Sequence, residues 1–200
     1  MKERARFCLA CGARLRAVSE HGRRRRRCAR CGWTFYDNPV CASVAIIRRR
    51  GRILLAKRAQ APYAGAWDLP GGFVEAGETP EAGMRRELRE ELDVGTRRLR
   101  LLGFATDRYG PNGFPVLTAI YRVTLAPGPI GSADDVSEVR WFPDVKIPFR
   151  TIAFPSLRRA LKRCLSAGEK TDAEKRRRPI KRVQMPFSSA CAESAGDAGI

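Results

Sequence analysis

The sequence predicts an α/β layered domain, and three observations carry that reading. Apolar runs at Val40–Ile47 and Ile53–Lys57 flank Arg48–Arg52, with Gly51 placed to turn a hairpin. Thr79 to about Val94 carries helix signals at its start and along its length. Strand-like runs at Leu99–Thr106, Val116–Leu125 and Val139–Phe142 then precede a second helical segment, about Pro155–Leu165. Strands interleaved with two helices pack as layers around one sheet.

Taken from the amino terminus, three segments separate: 1–36, 37–165 and 166–200. The first carries 11 Lys/Arg against 2 Glu, the second 21 basic against 14 acidic residues, and the third 7 against 5, so the head is the most basic for its size within a chain of +18. That charge favours phosphate-bearing partners, either nucleotides, nucleic acid or an acidic membrane surface. A hydrophobic share of 44% excludes a wholly disordered chain. No uncharged apolar run approaches the roughly 18–20 residues of a membrane span. Residues 1–8 lack the apolar stretch of a signal peptide, so the expected setting is the reducing cytoplasm, where paired cysteines mean metal rather than disulfide.

The head holds Cys8-x2-Cys11-Gly12 and Cys28-x2-Cys31-Gly32, two matched knuckles. Four thiolates suit a closed tetrahedral zinc ion, and glycine after each pair permits the tight turn around it. With no open position this zinc is structural, and in so short a segment it supplies much of the folding free energy. Cys41, Cys164 and Cys191 have no partner at ligand spacing and read as core or tail thiols. Arg23–Arg27 falls in the loop expected between the knuckles, as a solvated run or a cationic contact to a polyphosphate backbone. His21 has no evident acid–base role. At the other end, periodicity stops after Ser166, and the basic, Ser/Ala/Gly-rich remainder reads as disordered.

Within the long helix Thr79 is a suitable N-cap, Pro80 suits the first position, and Glu81 complements the positive end of the dipole. At about 100° per residue, Glu87, Glu90 and Glu91 share an arc of about 100°. Met84, Leu88 and Leu92 form the adjoining apolar stripe that fixes the acids at its margin. Glu87 and Glu91 are like charges at i, i+4, a destabilising arrangement on an isolated helix. A divalent cation reverses that penalty, and hard oxygen ligands select Mg²⁺ or Mn²⁺. In the second helix Leu157, Ala160, Leu161, Cys164 and Leu165 recur with helical period and define a buried face.

The run Gly72-x5-Glu78-x7-Arg86-Glu87-Leu88-x-Glu90-Glu91-x-Asp93-Val94 resembles the Nudix box, and Trp67-Asp68-Leu69-Pro70-Gly71-Gly72 is similar to the family's lead-in to it. Asp93 stands where the family usually has glycine, at a position that turns the chain out of the helix with positive φ, which Asp tolerates. The cysteine knuckles, Tyr36-Asp37-Asn38-Pro39, Glu138–Phe142, Ile147–Phe149 and Ala153–Ser156 resemble one zinc-ribbon branch of the family. The signature that the NADH pyrophosphatases carry after the box is missing, which speaks against NADH specificity and leaves other dinucleotides open.

The resemblance implies a Nudix α/β/α sandwich with a small N-terminal zinc ribbon. It implies hydrolysis of a nucleoside diphosphate linked to another moiety, such as ADP-ribose, FAD or NAD(H), releasing a nucleoside monophosphate. Glu87, Glu90 and Glu91, with the Gly72 carbonyl, would ligate magnesium, and Arg86 would pin Glu78 or Glu87. Glu138 is the candidate general base, with Asp134 and Asp135 behind it. Arg58 is placed to reach a phosphate, and Tyr109, Phe114, Phe149 and Phe154 are candidates to stack a base. Dinucleotide enzymes of the family are often dimers, so a homodimer is an open expectation. The competing class is a nucleic-acid-binding or regulatory protein that keeps the fold and uses the ribbon and basic segments.

Overall fold

The computed structural model describes residues 5–110, 113–131 and 136–166. Asp134, Asp135, Cys191 and the expected disordered tail lie outside the described residues.

The head forms a three-stranded antiparallel sheet of β1 (Leu15–Glu20), β2 (Arg23–Cys28) and β3 (Thr34–Phe35). The expectation that Arg23–Arg27 forms a loop is corrected here: the five arginines make up most of β2. Glu20 pairs with Arg23, leaving His21 and Gly22 as a two-residue turn with φ of 48° and 73°. Positive φ at both positions is the hairpin geometry that matches strand twist, and a short polar pair followed by strand residues outweighs the low strand propensity of arginine. The small core here is Cys8, Leu15 and Cys28, with Trp33 and Phe35 packed against them.

The main sheet is built on β4 (Val40–Arg49) and β5 (Arg52–Arg58), joined at Arg50–Gly51, again with positive φ at both residues. The hairpin pairs only through Arg48–Ile53 and Arg49–Arg52, then splays. Into the opening run β6 (Trp67–Asp68), paired to β5, and β7 (Gly71–Phe73), paired to β4. The Pro70 carbonyl between them accepts from the Ala45 N–H at 2.8 Å, so the wedge is bonded on both sides. Gly71 is required at this point. Its φ is 132°, and a Cβ there would lie 2.2 Å from the Ser43 carbonyl oxygen.

Three longer strands complete the sheet: β8 (Thr96–Arg108), β9 (Pro115–Leu125) and β10 (Val136–Pro143), in the order β10-β5-β4-β9-β8 with β4 and β9 parallel. Helix α1 (Pro80–Leu92) covers one face and α2 (Pro155–Ser166) the other. Side chains of β4 alternate between the two layers. Ala45 and Ile47 join Met84, Leu88 and Leu92 of α1, while Val44 and Ile46 join Leu157, Ala160 and Leu161 of α2. Burial on both faces explains why Ala42–Ile47 is buried at every position and apolar at all but Ser43, rather than alternating. The expected α/β/α sandwich is the observed architecture.

The ends of α1 follow the predicted chemistry. Thr79 accepts from the Ala82 N–H at 3.2 Å, and Asp93 takes φ 50° and ψ 40° as its N–H donates to the Arg89 carbonyl at 3.0 Å. Helix α2 is capped from another element: the Ser156 N–H donates to Asp107 on β8 at 2.9 Å. Among the described residues no helix is long and apolar enough to cross a membrane.

Candidate active site

The β4–β5 splay and the α1 carboxylates together enclose a cavity of about 500 Å³. The β6–β7 segment lines it through Asp68, Leu69, Gly71, Gly72 and Phe73. Glu87, Glu90 and Glu91 of α1 line it as well, as do Arg58, Tyr109 and Phe154.

Gly72 touches the helix directly. A Cβ in its place would lie 2.6 Å from Oε1 of Glu87, so any larger residue here would push that carboxylate aside. Glu91 Oε2 accepts the Gly71 N–H at 2.8 Å. Burial, with Glu87 adding repulsion, pushes the Glu91 carboxyl up to about 8 despite that bond. Glu87 is also raised, chiefly by burial. Glu90 is the most exposed of the three.

Arg86 lies behind these acids rather than on the cavity wall. Its Nε and Nη2 donate to the two oxygens of Glu78 at 2.9 and 3.0 Å, and Nη2 also to the Phe73 carbonyl at 2.9 Å. Nη1 donates to Glu87 at 2.9 Å and Glu90 at 2.8 Å. The resemblance offered Glu78 or Glu87 as the partner of Arg86; the guanidinium holds both, and Glu90 besides. The same fork holds the Glu78 carboxyl down at about 2.

Arg58, also on the cavity wall, donates to the Pro62 carbonyl at 2.8 Å, to Tyr109 Oη at 3.0 Å and to Asp68 at 3.4 Å. Its guanidinium sits 5.6 Å from both the Tyr109 and Phe154 ring centres. Three of the four predicted aromatics assemble here. Tyr109 stacks between Phe114, at 5.5 Å, and Phe154, at 6.0 Å, and Phe73 meets Tyr109 edge-on. Phe149 is elsewhere, beneath Lys162.

Glu138 does not line the cavity. It lies within β10 rather than before it, beside Lys57 at 3.5 Å, and it is bound by Arg140 as well. Val136 is the β10 residue on the cavity wall, and the strand shifts register between Val136 and Glu138. Asp68 and Asp107 do line the cavity and were not singled out from sequence. Full burial pushes the Asp68 carboxyl up to about 6 against the pull of Arg58. The only sequence signal for Asp68 was its place in the segment before Gly71. Asp107 had none, because its role as cap of α2 joins residues 49 apart.

In the head, Cys8, Cys11, Cys28 and Cys31 bring their sulfurs within 4.8 Å of one another, with Cys8–Cys31 and Cys11–Cys28 at 3.5 Å. A tetrahedral ion with metal–sulfur bonds of about 2.3 Å spaces its sulfurs about 3.8 Å apart, so the donor set fits. The knuckles match in detail: the Gly12 N–H donates to the Cys8 carbonyl at 2.9 Å and the Gly32 N–H to the Cys28 carbonyl at 3.0 Å. Among the described residues no other group of three or more His, Cys, Asp or Glu closes to that spacing. The three glutamates face one cavity, with Arg86 shared between two of them. Cys41 is exposed, and Cys164 is half-buried and receives Arg122.

The sequence model of the NUDIX domain matches residues 37–163, which include the whole cavity. The chain belongs to the Nudix family. A crystal structure of a NUDIX hydrolase from Nitrosomonas europaea superposes with a TM-score of 0.67 at 30% identity, covering 82% of this chain and 92% of that one. An ADP-ribose pyrophosphatase of Methanocaldococcus jannaschii is 34% identical over 111 residues, 55% of this chain and 65% of that protein. The NAD-capped RNA hydrolase NudC of Pseudomonas aeruginosa is 28% identical over 137 residues, 68% of this chain and 47% of that protein. The Nudix chain thus matches less than two thirds of the length of either curated relative.

Proposed function

We propose that this Nudix protein hydrolyses the pyrophosphate bond of a nucleoside diphosphate joined to a second moiety, of the ADP-ribose, FAD or NAD(H) kind, and releases a nucleoside monophosphate. The observation that carries this reading is the convergence of Glu87, Glu90 and Glu91 on one cavity beside the Gly71–Gly72 backbone. A buried carboxyl held up near 8 beside a second acid is a site short of positive charge. That deficit fits a divalent ion, Mg²⁺ or Mn²⁺, held by the three glutamates with the Gly72 carbonyl. When bound, the ion neutralises the diphosphate oxygens and lowers the pKa of a coordinated water. The four cysteines fit a structural Zn²⁺.

The chain's own residues supply the rest. Arg86 and Glu78 fix the carboxylates, Arg58 and Asp68 add a second ion pair to the cavity, and the Tyr109 cluster offers a ring face to a nucleobase. Glu138 serves as general base once its carboxylate leaves Lys57 and Arg140, and Glu138→Gln tests it. A base contributes about 10²–10⁴-fold, so turnover that survives the change removes Glu138 from the reaction.

ADP-ribose, FAD and NADH are offered to the full chain with MgCl₂ and then with MnCl₂, and products are read by mass. A nucleoside monophosphate from at least one of them is the expected result. No such product from any, with either metal, would overturn the proposal.

A further inference from the structure

Residues paired across an antiparallel ladder share a face. In the β1–β2 hairpin the pair Leu15–Cys28 is buried and marks the side turned to the cysteine cluster. Arg16, Arg23, Arg25 and Arg27 therefore lie together on the other side, with Val18 and Glu20. The three β2 arginines follow one another about 6.5 Å apart along the strand. Arg27 stands directly opposite Arg16, a like-charge pairing that destabilises a hairpin by itself.

The charges on this face are only partly answered. Glu20 and Thr34 hold Arg27, and Arg25 donates to the Tyr36 carbonyl at 2.7 Å. No acceptor reaches Arg16 or Arg23 among the described residues. Residues 5–36 contain nine arginines and one glutamate, which leaves the ribbon strongly positive even after the −2 of a zinc tetrathiolate. Beside the arginines Tyr36 is 51% exposed, with Arg25 5.0 Å over its ring. Regularly spaced guanidinium groups next to an open aromatic face suit a ligand that alternates phosphates with planar rings.

We propose that this face of the ribbon binds single-stranded nucleic acid, with Arg16, Arg23 and Arg25 on successive phosphates and Tyr36 stacked on a base. An anionic membrane would answer the charge without regard to the spacing of the arginines, and a duplex keeps its base faces covered. The proposal stands apart from the hydrolase reading, because none of these residues lines the cavity.

The test is fluorescence anisotropy of the full zinc-loaded chain with a labelled 12-nucleotide RNA strand, the matching DNA strand, their duplexes, and phosphatidylserine vesicles. Arg16→Ser with Arg23→Ser should weaken single-strand binding about 10-fold and flatten its salt dependence by a slope of about 1.4, as expected for two lost phosphate contacts. Tyr36→Ala should weaken it about 5–10-fold with the slope unchanged. Zinc content and turnover of ADP-ribose should hold in both variants; if the double variant loses zinc, Arg23→Ser alone, beside the turn, carries the test. Single-strand affinity unmoved by either change overturns the proposal, as does tighter binding to duplex or vesicles with no dependence on Tyr36.

Discussion

The α-carbon of Gly72 sits so close to Glu87 that a methyl group there would come within 2.6 Å of Oε1 and 2.7 Å of the carboxyl carbon. This contact joins β7 to the middle of α1, and it fixes where the first of the three acids meets the cavity. Gly72 has an ordinary φ, so the requirement is for space and not for an unusual backbone. Gly72→Ala should therefore displace Glu87 by about an ångström and cut kcat about 100-fold with little loss of thermal stability. Steady-state kinetics beside a melting curve checks both parts.

Arg86 spends all three nitrogens on five acceptor oxygens of four residues, and only a planar fork can do so. Arg86→Lys keeps the charge and loses the bidentate hold on Glu78. Turnover should fall about 10–100-fold and the Mg²⁺ concentration for half-maximal rate should rise, as for a residue that orients ligands. Metal-concentration dependence of the rate separates this from a fault in substrate binding.

The pH dependence of stability follows from Glu91. Its folded carboxyl titrates near 8 against an ordinary value of 4.5, so between those limits the folded chain holds a proton that the unfolded chain has lost. This contribution to stability is full below about 4.5 and is lost as pH rises through about 8. Metal-free protein should melt at progressively lower temperature across that window, and Glu91→Gln should flatten the trend. Mg²⁺ should raise the wild-type melting temperature most at the alkaline end. Calorimetry at pH 5, 7 and 8.5, with and without Mg²⁺, measures all three.

The head and the sandwich have separate cores. Cys28→Ser should abolish binding of one equivalent of zinc and the far-UV signature of the small sheet, while the main melting transition persists. Elemental analysis and circular dichroism make the comparison.

Much of this molecule was legible from local pattern. The β4–β5 hairpin, α1 with its Thr79 and Asp93 ends, and the α2 face are each set by residues close in sequence. So are the cysteine knuckles and the arc of Glu87, Glu90 and Glu91. What escaped depends on contacts between distant segments. Strands β6 and β7 are two and three residues long, with Pro70 between them and two glycines opening β7, a composition that reads as a turn until the splayed hairpin gives it edges to pair with. The arginines of β2 look like a loop because charge hides the period of a strand whose register is fixed by its turn. Phe154 joins Tyr109 and Phe114 only because α2 starts beside the β8–β9 connection, and Glu138 is parted from the cavity-lining Val136 by a register shift that no local pattern announces.

The central claim is that Glu87, Glu90 and Glu91 hold a divalent cation in the cavity they line. Electron paramagnetic resonance of Mn²⁺ titrated into wild-type protein and into Glu90→Gln/Glu91→Gln reads this directly. Wild-type protein should remove free Mn²⁺ at a site that the double variant lacks, with competition by Mg²⁺; equal Mn²⁺ binding by both proteins would contradict the account.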